Sequence, residues 1–172
     1  MTDAAAKRRD LRDSDLPPAA LRARLARTWG GAPGLWGALT TVDHKVIGRR
    51  YIVTAFVFLC LGGLLAVVMR LQLARPEAGL VGPDVYNQLF TMHGTTMMFL
   101  FGVPIGEALA VFLVPLLVGA RTIAFPRLNA YSYYVYVFGG AMIWVAFMLN
   151  IGPDVGWFAY VPLSGPEFSP GK

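Results

Sequence analysis

Long apolar blocks, rather than alternating apolar and polar positions, dominate this chain. Nineteen uncharged residues, YIVTAFVFLCLGGLLAVVM, lie between Arg50 and Arg70. Two further blocks follow, each about as long as the apolar thickness of a bilayer when helical, or longer. The pattern predicts an all-α polytopic membrane protein. Its three transmembrane helices are expected at about 50–70, 86–119 and 129–151, joined by loops rich in Pro and Gly.

The composition supports a membrane protein over a soluble domain. Of 172 residues, 56% are hydrophobic and only 15% are charged. In soluble domains, about a quarter of all residues are usually charged. The single cysteine, Cys60, lies inside an apolar block. It excludes a disulfide within the chain and is interpreted as a packing residue.

The net charge of +5 is concentrated at the N-terminus, where ten of the fifteen Lys and Arg residues lie in the first 50 positions. No aromatic residues interleave with the early basic run, and no nucleic-acid-binding pattern follows it. Residues 1–40 are therefore predicted to form a mobile basic arm that faces the cytoplasm and lipid headgroups, with no nucleic-acid partner. Residues 41–172 form the membrane part.

The distribution of Lys and Arg also predicts the orientation. Arg121 and Arg127, in the loop after the second helix, lie on the same side as the basic arm. Because cytoplasmic loops carry an excess of Lys and Arg, the N-terminus is predicted to be cytoplasmic. Residues 152–172 then form an outer loop. Three helices with polar residues inside need partners to bury them, so the chain is expected to be part of a larger subunit.

One histidine, His93, stands in the apolar stretch YNQLFTMHGTTMMFLF. Ionisable residues inside a membrane are functional candidates, and a neutral imidazole is a common axial ligand of heme iron. The small neighbours Gly94, Thr95 and Thr96 would allow a flat ring to approach. A histidine hydrogen-bonded to a neighbouring helix explains the same pattern. The residues alone leave both interpretations open.

Four strings carry a resemblance to a known family: TTVDHKVIGRRY, YNQLFTMHG, VPLLVGARTIAFPRLN and GWFAYVPLSG. In this order and spacing they resemble subunit I of the heme-copper terminal oxidases, over residues 40–172. The resemblance implies the first three of about twelve helices, in a bacterial inner (cytoplasmic) membrane.

The resemblance implies roles for four residues. His93 matches an axial ligand of the low-spin heme, here heme A. Arg70 matches the arginine that hydrogen-bonds the heme formyl group, and Tyr86 belongs to the same hydrogen-bonding cluster. Trp157, in the GW motif, matches a tryptophan near the heme propionates. An interfacial arginine and aromatic-belt residues remain the alternatives for the last three. The other histidine, His44, is interpreted as structural.

The family's proton route begins at an acid that this sequence lacks. The motif reads GART, which places Thr122 where an aspartate is expected, whereas Asn129 does match an asparagine of that route. Glu107 is the only acid inside an apolar block. It is either part of an altered proton path or a protonated acid hydrogen-bonded to a neighbouring helix.

The implied activity is that of a proton-translocating cytochrome c oxidase. Its partners would be the remaining subunit I sequence, subunits II and III, cytochrome c and the lipid bilayer. The high-spin heme and copper would lie on sequence outside this chain. Quinol oxidases carry a histidine and an acid at the positions aligned with Val85 and Leu65, which favours cytochrome c as the donor. A quinol oxidase and a non-catalytic three-helix scaffold remain alternatives.

Overall fold

The chain divides into two compact units, Met1–Thr41 and Val42–Lys172. The structure, a computed structural model, describes residues 16–29 and 34–169. The first unit contains helix α1, Pro18–Trp29, and helix α2, Gly34–Thr40. The prediction of a mobile arm falls partly on residues 1–15 and 30–33, which lie outside the described residues. The last three residues of the predicted outer loop, 170–172, lie outside them as well.

The second unit consists of three long helical spans. Helix α3 runs His44–Gln72. The second span is composite: helix α4, Pro83–Thr95, continues through a π-helical segment, Thr96–Gly102, into helix α5, Val103–Leu117. Helix α6 runs Pro126–Met148. All three spans are long and apolar enough to cross a membrane, and the described residues form no strand. The predicted all-α fold class with three spanning helices is confirmed.

The ends of the spans follow local rules that an apolar block does not reveal. Helix α3 begins at His44 because the Asp43 carboxylate caps it, accepting a hydrogen bond from the Lys45 N–H. The apolar block includes only the uncharged part of helix α3. The polar turns before residue 50 were therefore not predicted as helix. Helix α5 ends at a Schellman turn. Gly119 adopts a positive φ there, and the Ala120 N–H reaches back to the Pro115 carbonyl.

The π segment interrupts the second span beside Pro104. Proline has no N–H, so the Leu100 carbonyl lacks the donor that residue 104 would supply in an α-helix. The Val103 N–H bonds to the Met98 carbonyl, five residues back, in the wider π pattern. The Tyr136 hydroxyl of helix α6 donates to the Leu100 carbonyl at 2.7 Å. Such π turns are frequent at functional sites.

Helix α3 lies at the centre of this unit and contacts both other spans. Glycines allow the closest approaches. A Cβ at Gly62 would lie 3.3 Å from Thr96 Cγ2, and one at Gly140 would lie 2.7 Å from Phe58 Cζ. Helix α6 is the least buried of the spans and exposes most of its apolar side chains.

Candidate functional site

His93 lies on helix α4, half-buried, and its ring is held by helix α3. Its Nδ1 is 2.9 Å from the Gly62 carbonyl oxygen. Because a carbonyl only accepts, Nδ1 carries a proton and donates it, so that in the neutral imidazole the lone pair is on Nε2. Nε2 has no hydrogen-bond partner among the described residues. An imidazole with one nitrogen anchored to a carbonyl and the other one available is the usual arrangement of a metal-binding histidine.

The absence of a side chain at Gly62 brings its carbonyl within reach of His93. Thr96, at the start of the π segment, is fully buried and packs over this glycine. A Cβ at Gly62 would also lie 3.0 Å from Met97 Sδ. The close approach of helix α3 to the π segment therefore fixes the position of the carbonyl that accepts from the His93 ring.

Trp157 covers the residue next to His93. A Cβ at Gly94 would lie 2.7 Å from Trp157 Cδ1. The loop after helix α6 is held in this place by the Gly156 N–H, which donates to Thr91 Oγ1 at 2.8 Å. The space that Gly94 leaves open, predicted to admit a flat ring, is thus occupied by the indole. Trp157 lies beside the candidate ligand, as a residue that flanks a heme would.

Arg70 and Tyr86 lie near the helix ends that residues 73–82 join, and neither forms a hydrogen bond with His93. Arg70 is exposed in the last turn of helix α3, and its guanidinium makes no ion pair or hydrogen bond with the described residues. Tyr86 is half-buried in the first turn of helix α4 and packs against the apolar core. The structure therefore leaves both side chains available to a ligand, without joining them to each other.

Glu107 and Asn129, two of the predicted proton-path residues, are connected through residues that sequence reasoning missed. The Tyr51 hydroxyl donates to Glu107 Oε1 at 3.4 Å and lies 3.0 Å from Ser132 Oγ. Ser132 Oγ donates in turn to the main-chain carbonyl of Asn129 at 2.8 Å. Asn129 is 9% exposed, and its Nδ2 is buried with no hydrogen-bond partner among the residues that the structure describes. Thr122, exposed in the turn after helix α5, makes no contact with this network.

The sequence did not predict three residues of this region because each lies in an apolar or aromatic stretch and was interpreted as a packing residue: Tyr51, Ser132 and Tyr136. One signal was present in the sequence. Asn129, Ser132 and Tyr136 recur at i, i+3 and i+7, which places them on one face of a helix. Both Ser132 and Tyr136 use their hydroxyls to contact other helices.

His44 is buried at the start of helix α3, and neither ring nitrogen has a hydrogen-bond partner within the described part of the chain. Its Nδ1 lies 3.9 Å from Asp43 Oδ1. Partial burial raises the pKa of the Asp43 carboxyl, but the hydrogen bonds and the charge of Lys45 outweigh this and lower it below its ordinary value. Among the described residues no three His, Cys, Asp or Glu side chains come together as a metal cluster.

Comparison with known proteins gives a consistent picture. The family model described as "Cytochrome C and Quinol oxidase polypeptide I" matches residues 46–171. A "Putative cytochrome c oxidase subunit 1-beta" of Streptomyces coelicolor is 50% identical over 151 residues, covering 87% of this chain and 26% of that protein.

Two further relatives come from other bacterial groups. A "Cytochrome c oxidase subunit 1" of Synechocystis is 49% identical over 123 residues, covering 72% of this chain and 22% of its own length. The "Cytochrome c oxidase subunit 1" of Bacillus sp. PS3 is 44% identical over 140 residues, covering 81% and 23%. The chain thus spans about a quarter of the length of these relatives.

Proposed function

The chain belongs to the cytochrome c and quinol oxidase polypeptide I family, and from this membership we propose that it is the N-terminal part of the catalytic subunit of a bacterial cytochrome c oxidase. Oxygen reduction and proton translocation are proposed for the whole assembly. Its other parts are the remaining subunit I sequence, subunits II and III, and cytochrome c as donor. The proposed setting is the bacterial inner membrane with the N-terminus cytoplasmic.

His93 is proposed to ligate the iron of a low-spin heme A through Nε2. The observation that supports this is the contact between His93 Nδ1 and the Gly62 carbonyl, which sets the tautomer and aims Nε2 away from helix α3. The bound heme would supply one-electron transfer. Arg70 and Tyr86 are proposed to hydrogen-bond its periphery, and Trp157 to flank it. The high-spin heme and copper are proposed on sequence outside this chain.

Replacement of His93 in the complete oxidase tests the assignment. His93→Asn keeps a side chain that can hydrogen-bond Gly62 but removes the imidazole ligand. We expect loss of the low-spin heme band in the reduced-minus-oxidised spectrum, and the same band intact in His44→Asn. A normal low-spin band in the His93 variant would contradict His93 as the ligand, whereas the absence of any heme band in the unmutated protein would favour a non-catalytic scaffold.

The family description also covers quinol oxidases, so the donor needs its own measurement. The relatives described above are all named cytochrome c oxidases, which favours cytochrome c. Turnover of one preparation with ferrocytochrome c and with a ubiquinol analogue separates the two activities. Faster turnover with the quinol would reverse the assignment.

Glu107 is proposed as a proton-exchanging group of the oxidase, with Asn129 further along the path. A neutral carboxyl donates a hydrogen bond and an ionised one accepts it, so Glu107 can pass a proton to the Tyr51 hydroxyl, which can pass one to Ser132. The buried Asn129 amide offers a donor to a water beyond them. Thr122 is proposed as a separate surface relay on the cytoplasmic side.

Glu107→Gln tests the proton path because glutamine keeps the size of the side chain but cannot release a proton. We expect lower turnover and fewer protons taken up per electron in reconstituted vesicles. Glu77→Gln, in the exposed loop after helix α3, is the matched control and should behave as wild type. Unchanged stoichiometry and turnover in Glu107→Gln would leave the residue as a packed neutral acid.

A further inference from the structure

The Tyr136 hydroxyl compensates for a donor that Pro104 removes. In an α-helix the Leu100 carbonyl would accept from the N–H of residue 104, and proline has none. An unpaired carbonyl in an apolar environment is costly. Tyr136 donates to this oxygen at 2.7 Å from another helix. The contact therefore stabilises the π turn at the point where the second span departs from α geometry.

Helix α6 also packs against the side chain of Leu100. Gly140, one turn after Tyr136, lies so close that an added Cβ would be 3.2 Å from Leu100 Cδ2. The Tyr136 ring is itself fixed: it stacks on Tyr51, with ring centroids 5.3 Å apart, and meets Phe58 edge-on at 5.9 Å. The hydroxyl therefore has little freedom to leave the carbonyl.

The segment held in this way begins three residues after His93. Its first residue, Thr96, is fully buried and packs over Gly62, whose carbonyl accepts from His93 Nδ1. The start of the π segment is thus held by helix α3, and Leu100, within the segment, is held by helix α6. A shift at Leu100 would change the packing of Thr96 against Gly62. It would thereby change the position of the Gly62 carbonyl relative to the His93 ring.

We propose that Tyr136 is a positioning residue for His93: by bonding the Leu100 carbonyl, whose α-helical donor Pro104 removes, it holds the π segment and thereby the orientation of the His93 imidazole. The role toward a heme rests on the proposed function. The holding of the π segment stands on the protein's own contacts, so the two parts are measured separately.

Tyr136→Phe in the complete oxidase removes only the hydroxyl. We expect amide hydrogen exchange over residues 96–103 to become about two- to tenfold faster, the range that follows from the loss of one hydrogen bond. We also expect the midpoint potential and the absorption maximum of the low-spin heme to shift. Tyr133→Phe is the matched control: its hydroxyl lies 3.0 Å from Thr54 Oγ1 on helix α3, and neither readout should change.

A second substitution checks the cause. Pro104→Ala restores an N–H that can bond the Leu100 carbonyl. Tyr136→Phe should therefore change the exchange rate and the heme potential less when it is added to Pro104→Ala than when it is made in the wild-type protein. If Tyr136→Phe alone fails to assemble, recovery in the double variant supports the proposal, and no recovery overturns it.

The outcomes separate the two parts. Unchanged exchange in Tyr136→Phe, or equal changes in Tyr133→Phe, overturns the holding of the π segment. Faster exchange with an unshifted potential overturns the positioning of His93. A low-spin heme that persists in His93→Asn overturns the proposed function, together with the positioning role that rests on it.

Discussion

Gly62 serves the candidate site in two ways. Its carbonyl accepts from His93, and its lack of a side chain lets Thr96 pack against helix α3. Gly63, the next residue, has open space where its Cβ would be. Two adjacent glycines in one helix thus have different roles, and only one of them is required by packing.

We therefore expect Gly62→Ala and Gly63→Ala to have opposite effects. An added methyl at Gly62 forces Thr96 and Met97 away, lengthens the contact to His93 and lowers the melting temperature of the purified oxidase. At Gly63 the same methyl meets nothing and gains up to about 1 kcal/mol of helix propensity. Thermal unfolding and the low-spin heme spectrum measure both. A Gly62→Ala protein with wild-type stability and spectrum would show that the close approach is dispensable.

At this scale the sequence revealed only part of the network. His93 and Glu107 were predicted as candidates because each is a lone ionisable group in an apolar block. Tyr51 and Ser132 were not, although their hydroxyls meet at 3.0 Å. Their contact depends on how helices α3 and α6 rotate against each other, and periodicity within one helix does not determine that rotation.

At the scale of elements, the start of helix α3 depends on a short polar cap. The Asp43 carboxylate accepts from the Lys45 N–H and lies 2.8 Å from Lys45 Nζ. Replacing an Asp cap by Ala typically costs about 1 kcal/mol. We expect Asp43→Ala to lower the melting temperature of the oxidase at neutral pH, as measured by thermal unfolding in detergent.

The same cap gives a pH dependence with a definite sign. The pKa of Asp43 in the folded protein is lowered from 3.8, so its stabilisation is complete above that value. It is lost as the pH falls through the lowered folded pKa. The difference between wild type and Asp43→Ala should shrink in that acidic range. Asp43→Asn keeps an acceptor without a charge and should lack the acid-dependent loss; a constant difference at every pH would contradict the assigned pKa direction.

The three membrane spans could be predicted from the sequence, whereas the π segment could not. The three spans followed from apolar blocks, because a bilayer imposes length and hydrophobicity on any helix that crosses it. The π segment did not. Pro104 indicated a lost hydrogen bond, but whether a helix kinks, admits water or widens depends on which partner is near, and here the partner is Tyr136 from another helix.

For the whole molecule, the predicted orientation can be measured directly. In a Cys60→Ser background, a single cysteine at Glu167 should react with a membrane-impermeant maleimide on right-side-out vesicles. A cysteine at Thr122 should react only after permeabilisation. Both positions are exposed in the structure, so the difference reports the side of the membrane. The reverse pattern would place the N-terminus outside and contradict the distribution of Lys and Arg.

The acceptor for His93 belongs to the main chain. No substitution at position 62 can change its chemical nature, since every amino acid carries the same carbonyl. The chemical identity of this hydrogen-bond acceptor is thereby protected from mutation in a way that a carboxylate partner would not allow. What mutation can alter is the geometry of the contact, so genetic variation here adjusts the histidine gradually and does not remove its partner.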